Sequence, residues 1–282
     1  MWRGWHKLVG GEEAFDKLAN LPSTFPDFSS EGKIPICDRD GVSLFAIVVD
    51  GAFPLSYYDF IVGVAQSKGF EPALLNQGSG QQEKGISMKS IRSSDRCIMD
   101  DVILANKLWT IVEQYLPHRD VVPGKRYKGW KATGINPRFR VLKYSAGQRF
   151  EMHQDGSYHI DGENENSKQQ QSFMTLQLYL NDGGGVEFVG GATRFIEPLD
   201  ENTVSLSTCL SGSTAGDSAS GDGCTSTHSS PGSGSGQGAK VYDVVPKAGR
   251  LLIFQHNCWH EGEMVTSGEK YVLRSEIMYS KE

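Results

Sequence analysis

Cysteine is scarce in this chain. Five occur in 282 residues, Cys37, Cys97, Cys209, Cys224 and Cys258, widely spaced, odd in number and never as CxxC. That leaves no basis for a zinc ribbon or a disulfide framework, and a reducing compartment fits best. Long apolar runs are missing too. No stretch reaches the roughly 18 apolar residues of a membrane span. Met1–Gly11 has neither the apolar core nor the cleavage-like site of a secretory leader. The expectation is a cytoplasmic protein with no membrane partner. Positive charge is short as well: 28 Lys and Arg stand against 34 Asp and Glu, a net charge of −6. A domain built to neutralise phosphates shows the opposite balance, so nucleic acid is not favoured as a partner, although a local basic patch can hide in an acidic total. No internal repeat is present. Nothing in the sequence bears on oligomeric state.

What is present suffices for a core: 38% of residues are hydrophobic and 22% charged. The length fits one large domain or one and a half. Leu44–Val49 is apolar and β-rich. Ser56 stands at a helix N-cap position, with Tyr57, Phe60, Ile61 and Val64 at helical spacing and Gly69 as the stop. A second helix is expected from Asp100 to Leu116. Leu104, Leu108, Ile111 and Tyr115 form its buried stripe, Asp100 and Asp101 suit its positive end, and Pro117 ends it. From Phe139 onward the pattern changes to short strands with Gly turns: Phe139–Tyr144, Phe173–Leu180, Ala192–Ile196, Val241–Val245, Arg250–Gln255 and Tyr271–Tyr279. Between the third and fourth lies Ser205–Gly238, mostly Ser, Gly and Thr, which cannot bury enough apolar area to offset ordering entropy. It reads as a flexible insertion within a domain. The fold class expected is α+β with a mainly β core, an antiparallel sandwich or jelly roll. Residues 1–137 would form a supporting helical and strand region, and residues 138–282 the core.

The chemistry centres on His153–Gln154–Asp155. In an extended segment residues i and i+2 point to one face, so an imidazole and a carboxylate stand side by side. His260 supplies a third candidate ligand. Two His and one carboxylate on one face of a metal leave positions open, an arrangement suited to non-haem Fe(II). Strand 173–180 adds a parity argument. Met174, Leu176, Leu178 and Leu180 form an apolar face directed to the inter-layer core. Thr175, Gln177 and Tyr179 form the opposite, pocket-lining face.

The surroundings carry a resemblance. RVLKYSAGQRFEMHQD (140–155) has a strand, a Tyr (Tyr144), a Gly turn and then His-x-Asp. TLQLYLND (175–182) ends a strand in Tyr-Leu-Asn. GGATRF (190–195) and GRLLIFQHNCWHEGEMVTSGEKYV (249–272) follow in order. The stretch from Phe139 to Tyr279 resembles the prolyl 4-hydroxylase type of Fe(II)- and 2-oxoglutarate-dependent oxygenase. The resemblance implies a double-stranded β-helix with supporting N-terminal helices. It also implies Fe(II) held by His153, Asp155 and His260, which makes them the catalytic residues. 2-Oxoglutarate and O2 would be co-substrates, ascorbate a supporting reductant, and succinate and CO2 products. Lys270, ten residues past His260, matches the cation that binds the far carboxylate of 2-oxoglutarate. Arg274 shares its strand face and is the rival, since the guanidinium is the better bidentate partner. Thr193 matches a pocket-lining position. For Tyr144 and Tyr179 a co-substrate contact and ordinary packing both fit.

His256 reads as structural. His159 stands near the substrate side, and His6, His118 and His228 read as surface or packing residues. Trp130, Arg138 and Trp259 could flank the site or fill the core. The expected activity is C–H hydroxylation of a peptide or small-molecule substrate, since Asp155 supplies the carboxylate that related halogenases lack. The competing readings are a non-catalytic metal-binding jelly-roll module and an oxygenase acting on alkylated nucleic-acid bases.

Overall fold

The computed structural model describes residues 32–38, 40–51, 56–73, 92–117, 129–160, 169–197 and 240–281. The Ser205–Gly238 insertion, Cys209, Cys224, His6, His118 and His228 lie outside them. In chain order the elements are β1 (Ala46–Val49), α1 (Ser56–Lys68), β2 (Glu71–Pro72), β3 (Asp95–Asp100), α2 (Val102–Val112), β4 (Trp130–Ile135), β5 (Arg138–Ser145), β6 (Phe150–His153), β7 (His159–Ile160), β8 (Gln170–Tyr179), β9 (Val189–Gly190), β10 (Thr193–Glu197), β11 (Lys240–Val244), β12 (Leu251–Gln255), β13 (His260–Gly262), β14 (Val265–Ser267) and β15 (Glu269–Lys281).

Two sheets organise these strands. The larger runs β1-β12-β8-β15-β5-β3-β2, with β4 against β15 and β7 against β8; the smaller runs β11-β10-β13-β6. From β5 onward the chain passes repeatedly between them. β5, β8, β12 and β15 lie in the large sheet, and β6, β10, β11 and β13 in the small one. This alternation winds the strands into the expected double-stranded β-helix. The strands before residue 138 are hydrogen-bonded into the same large sheet, β1 on β12, β3 on β5 and β4 on β15.

The parity of β8 holds, and the structure specifies which layer each face meets. Met174, Leu176, Leu178 and Leu180 join Val141, Leu251 and Leu273 in one buried cluster with Ile61, Leu104, Leu108 and Ile111 of the helices. The apolar face of the large sheet therefore packs on the helical layer. Its opposite face meets the small sheet through Tyr179, Leu252, Phe254 and Val272 against Phe195 and Val244. Each fully buried Leu of this kind contributes about 1.5–3 kcal/mol.

The helix boundaries differ from expectation in ways local chemistry explains. α1 begins at Ser56 itself. α2 begins later than Asp100, because Asp100 is still paired with Arg138 in the sheet. Asp101 is the cap, its carboxylate accepting from the Leu104 N–H at 2.9 Å. The last turn tightens to a 3₁₀ turn over Glu113–Tyr115, and Leu116 is buried where Tyr115 is only half-buried. No helix among the described residues is long and apolar enough to cross a membrane.

Candidate metal centre

β6 and β13 are neighbours in the small sheet, and their register sets His260 directly opposite His153. Residues opposed in antiparallel strands present their side chains on the same face. The two imidazoles are thus brought together, ring centroids 4.3 Å apart. Asp155 lies just beyond β6. Its N–H donates to the His256 carbonyl at 2.9 Å, which keeps the segment extended and the carboxylate on the His153 side. Asp155 Oδ1 is 3.6 Å from His153 Nε2, and Oδ2 is 3.9 Å from His260 Nε2. All three ligand atoms lie within 4.8 Å of one another.

The donor set fits a divalent metal. Nδ1 of His153 faces the Glu151 carbonyl at 2.7 Å, and Nδ1 of His260 faces the Cys258 carbonyl at 3.0 Å. A carbonyl can only accept, so each Nδ1 carries the proton and each Nε2 lone pair is left for a metal. Burial, with His153 alongside, pushes His260 down to about 3, so its imidazole is neutral at ordinary pH. Burial alone would raise the Asp155 carboxyl, but Arg274 and the two imidazoles hold it well below the usual carboxylate range. Two imidazole nitrogens and one carboxylate beside an open pocket are the set that non-haem Fe(II) takes.

Lys270, Val272 and Arg274 share a face of β15, as their spacing predicts, and all three line the pocket. They do different things. Arg274 donates to Asp155 Oδ1 at 2.7 Å and stands 3.6 Å from Glu276, which also takes Arg140 at 2.7 Å and the Asn136 amide at 2.9 Å. Thr175 donates to the other oxygen, Asp155 Oδ2, at 2.5 Å. Lys270 is buried, and its Nζ donates to the Gly191 carbonyl at 2.6 Å. It stands 5.3 and 5.5 Å over the Tyr144 and Tyr179 rings. No carboxylate pairs with it among the described residues, and burial pushes its ammonium down to about 7. The Gly-Gly pair of the GGATRF motif makes this approach possible. A Cβ on Gly191 would sit 3.1 Å from the Lys270 Cδ, and one on Gly190 would sit 2.2 Å from the Met264 carbonyl oxygen.

Tyr144 and Thr193 line the pocket, whereas Tyr179 is buried behind it and donates its hydroxyl to Thr193 at 2.7 Å. Thr193 in turn donates to Gln177 at 3.2 Å. His256 is buried and outside the ligand cluster; burial lowers its pKa, which leaves it neutral. His159 is exposed on β7. Trp130 packs edge-on against Phe173 in the helix-side core, and Arg138 pairs with Asp100 at the surface, so neither flanks the metal site. Trp259 borders a separate groove beside Gln154 and Asn257. Burial pushes the Cys258 thiol up to about 12, so it is inert despite its place near His260. Sequence reasoning missed Phe150, stacked on His153 at 3.6 Å, and Arg92, whose guanidinium lies 4.7 Å over Phe150. Phe150 comes to the site on β6 with His153, whereas Arg92 belongs to no motif and reaches it through its backbone bridge to Phe150.

Residues 139–275 match the model of the 2OG-Fe(II) oxygenase superfamily. These residues belong to this superfamily, the 2-oxoglutarate- and Fe(II)-dependent dioxygenases. Similar solved structures include a viral collagen prolyl hydroxylase from Paramecium Bursaria Chlorella virus-1, in complex with 2OG. It is 16% identical, with a TM-score of 0.43 over 83% of this chain and 95% of that one. A Trichoplax adhaerens prolyl hydroxylase in complex with a hypoxia inducible factor peptide fragment is 14% identical, TM-score 0.48, over 84% and 83%. A Pseudomonas putida prolyl-4-hydroxylase is 14% identical, TM-score 0.46, over 82% and 91%. No curated protein matches the chain.

Proposed function

We propose that this dioxygenase hydroxylates an unactivated C–H bond of a peptidyl or small-molecule substrate, in the manner of prolyl 4-hydroxylases. One oxygen atom of O2 enters the C–H bond and the other enters succinate, as 2-oxoglutarate loses CO2. The observation that supports this is the convergence of His153, Asp155 and His260 in a pocket that also holds Lys270, a buried ammonium without a carboxylate. Fe(II), when bound, supplies the centre at which keto acid and O2 meet and at which the oxidising power for C–H cleavage arises.

The chain's own residues bind, orient and exclude water. His153 and His260 offer Nε2, with Nδ1 anchored to backbone carbonyls. Arg274 and Thr175 orient the Asp155 carboxylate. We assign Lys270 to the far carboxylate of 2-oxoglutarate, because the Arg274 guanidinium is committed to Asp155 and Glu276. A buried dianion needs such a cation. The Tyr144 hydroxyl lies on the same pocket wall, while Tyr179 acts through Thr193. Leu142, Phe150 and Val272 close the pocket with apolar surface. Cytoplasmic location and ascorbate support belong to the same proposal.

The test is succinate release from 2-oxoglutarate with Fe(II) and ascorbate, alone and with proline peptides, free amino acids or a proteome extract, each product read by mass spectrometry. We expect slow substrate-free turnover, a hydroxylated product in one arm, and loss of both in His153→Ala. Bound iron with no succinate in any arm would sink the proposal and leave a metal-binding module.

A further inference from the structure

The carboxylates around the pocket are nearly all matched to cations. Asp155 pairs with Arg274 at 2.7 Å, Glu276 with Arg140 at 2.7 Å, Glu261 with Arg194 at 3.3 Å and Glu151 with Arg149 at 2.6 Å. Arg92 has no such partner among the described residues. Its Nε donates to Ser94 Oγ at 3.1 Å, and no described group accepts from its two terminal nitrogens. It is nevertheless firmly placed. Its backbone bridges to Phe150, Ser93 N–H donates to the Arg149 carbonyl at 3.0 Å, and its guanidinium lies on the Phe150 ring, which stacks on His153. Burial lowers its pKa, as do Arg274 and Arg96, while Tyr144 and Asp155 act in the opposite direction. A half-buried guanidinium in a pocket wall, its terminal nitrogens without an acceptor among the described residues, is stabilised by an arriving anion. 2-Oxoglutarate does not use up this charge. A divalent metal with Lys270 and Arg274 already exceeds the charge of Asp155 and a bound dianion.

We infer that Arg92 is the substrate's docking cation, and that the molecule hydroxylated here carries a carboxylate that pairs with the Arg92 guanidinium while its reacting carbon faces the metal. This rests on the oxygenase reading above and narrows its substrate class to carboxylates. The stacked Phe150 sets the spacing between docking cation and metal ligand, so the carboxylate lies a few bonds from the hydroxylated carbon.

The test uses the full chain loaded with Mn(II), saturated with 2-oxoglutarate and kept free of O2. The paramagnetic ion's effect on the nuclear relaxation of small probes reports binding near the metal. The probe pairs are acetate against acetamide and N-acetylproline against N-acetylprolinamide. A further pair, capped Pro-Glu against capped Pro-Gln, separates an acidic side chain from a free carboxylate as the source. At least one carboxylate is expected to bind about 10- to 100-fold more tightly than its amide, the range for a charge-assisted contact. Arg92→Gln removes that preference and Arg92→Lys keeps part of it, with 2-oxoglutarate affinity unchanged in both. Equal binding, or none, for both members of every pair overturns the inference. So does a loss of 2-oxoglutarate affinity in Arg92→Gln, which would place Arg92 in the co-substrate site. Failure of the Mn(II)-loaded wild type to bind 2-oxoglutarate would instead overturn the oxygenase reading itself.

Discussion

Both oxygens of Asp155 are engaged, one by Arg274 and one by Thr175. A carboxylate so fixed is pre-oriented for a metal, and truncating a partner that orients a ligand typically costs about 10–100-fold in metal affinity. Arg274→Ala is therefore expected to weaken Mn(II) binding by calorimetry in that range. Lys270→Ala should leave metal affinity nearly intact and raise the 2-oxoglutarate KM at least tenfold, roughly the loss of one buried charged contact. The reverse pattern would return Arg274 to the co-substrate. Lys270 also sets a pH dependence. Its folded pKa is lowered to about 7, so the ammonium that binds a dianion is lost as pH rises through 7 in the free protein. 2-Oxoglutarate affinity should fall from pH 6 to pH 8.5, with proton uptake on binding above pH 7 visible in buffers of different ionisation heat. A flat profile without proton uptake would contradict the assignment. At this scale the sequence carried much of the site, because His-x-Asp and the face shared by 270, 272 and 274 follow from a period of two. It did not separate the roles of Lys270 and Arg274, which depend on what the other strands place beside each one.

The decisive element contact is β6 on β13, because a one-residue slip would turn one imidazole to the opposite face. β6 was not legible as a strand. Its Phe-Glu-Met-His alternation spans only four residues, too short to mark a strand, and all four are half-buried. β8 is the opposite case: its apolar and polar faces separate cleanly and were read correctly. The β9–β14 ribbon holds the Gly190–Gly191 turn beside Lys270. Gly190 has φ of +78°, and an added Cβ would meet the Met264 carbonyl oxygen at 2.2 Å. Gly190→Ala should destabilise the protein by roughly 2–4 kcal/mol, read by urea unfolding. It should also weaken 2-oxoglutarate binding, because the turn carries the acceptor of Lys270. On α2, Asp101→Ala removes the cap and should cost about 1 kcal/mol in the same assay, without effect on metal binding.

For the whole molecule, Glu197 and Lys240, which flank segment 198–239, are paired at the edge of the small sheet. Replacing that segment by a short Gly/Ser turn is expected to leave both unfolding stability and Mn(II) affinity within error. A large loss of either would show that the segment contributes to the core or the site. The metal is expected to raise Tm in proportion to the logarithm of its concentration, and a chelator to reverse the rise, because only the folded chain brings the three ligands together. The chain alone determined the β-rich class, the two helices and the three metal ligands, since each is written in local periodicity, composition or a short motif. Tertiary structure decided which layer covers each sheet face, that Arg274 serves Asp155 while Lys270 stays uncompensated, and that Arg92 reaches the pocket. These are relations between strands far apart in sequence, and their register and charge balance exist only once the sheets have formed.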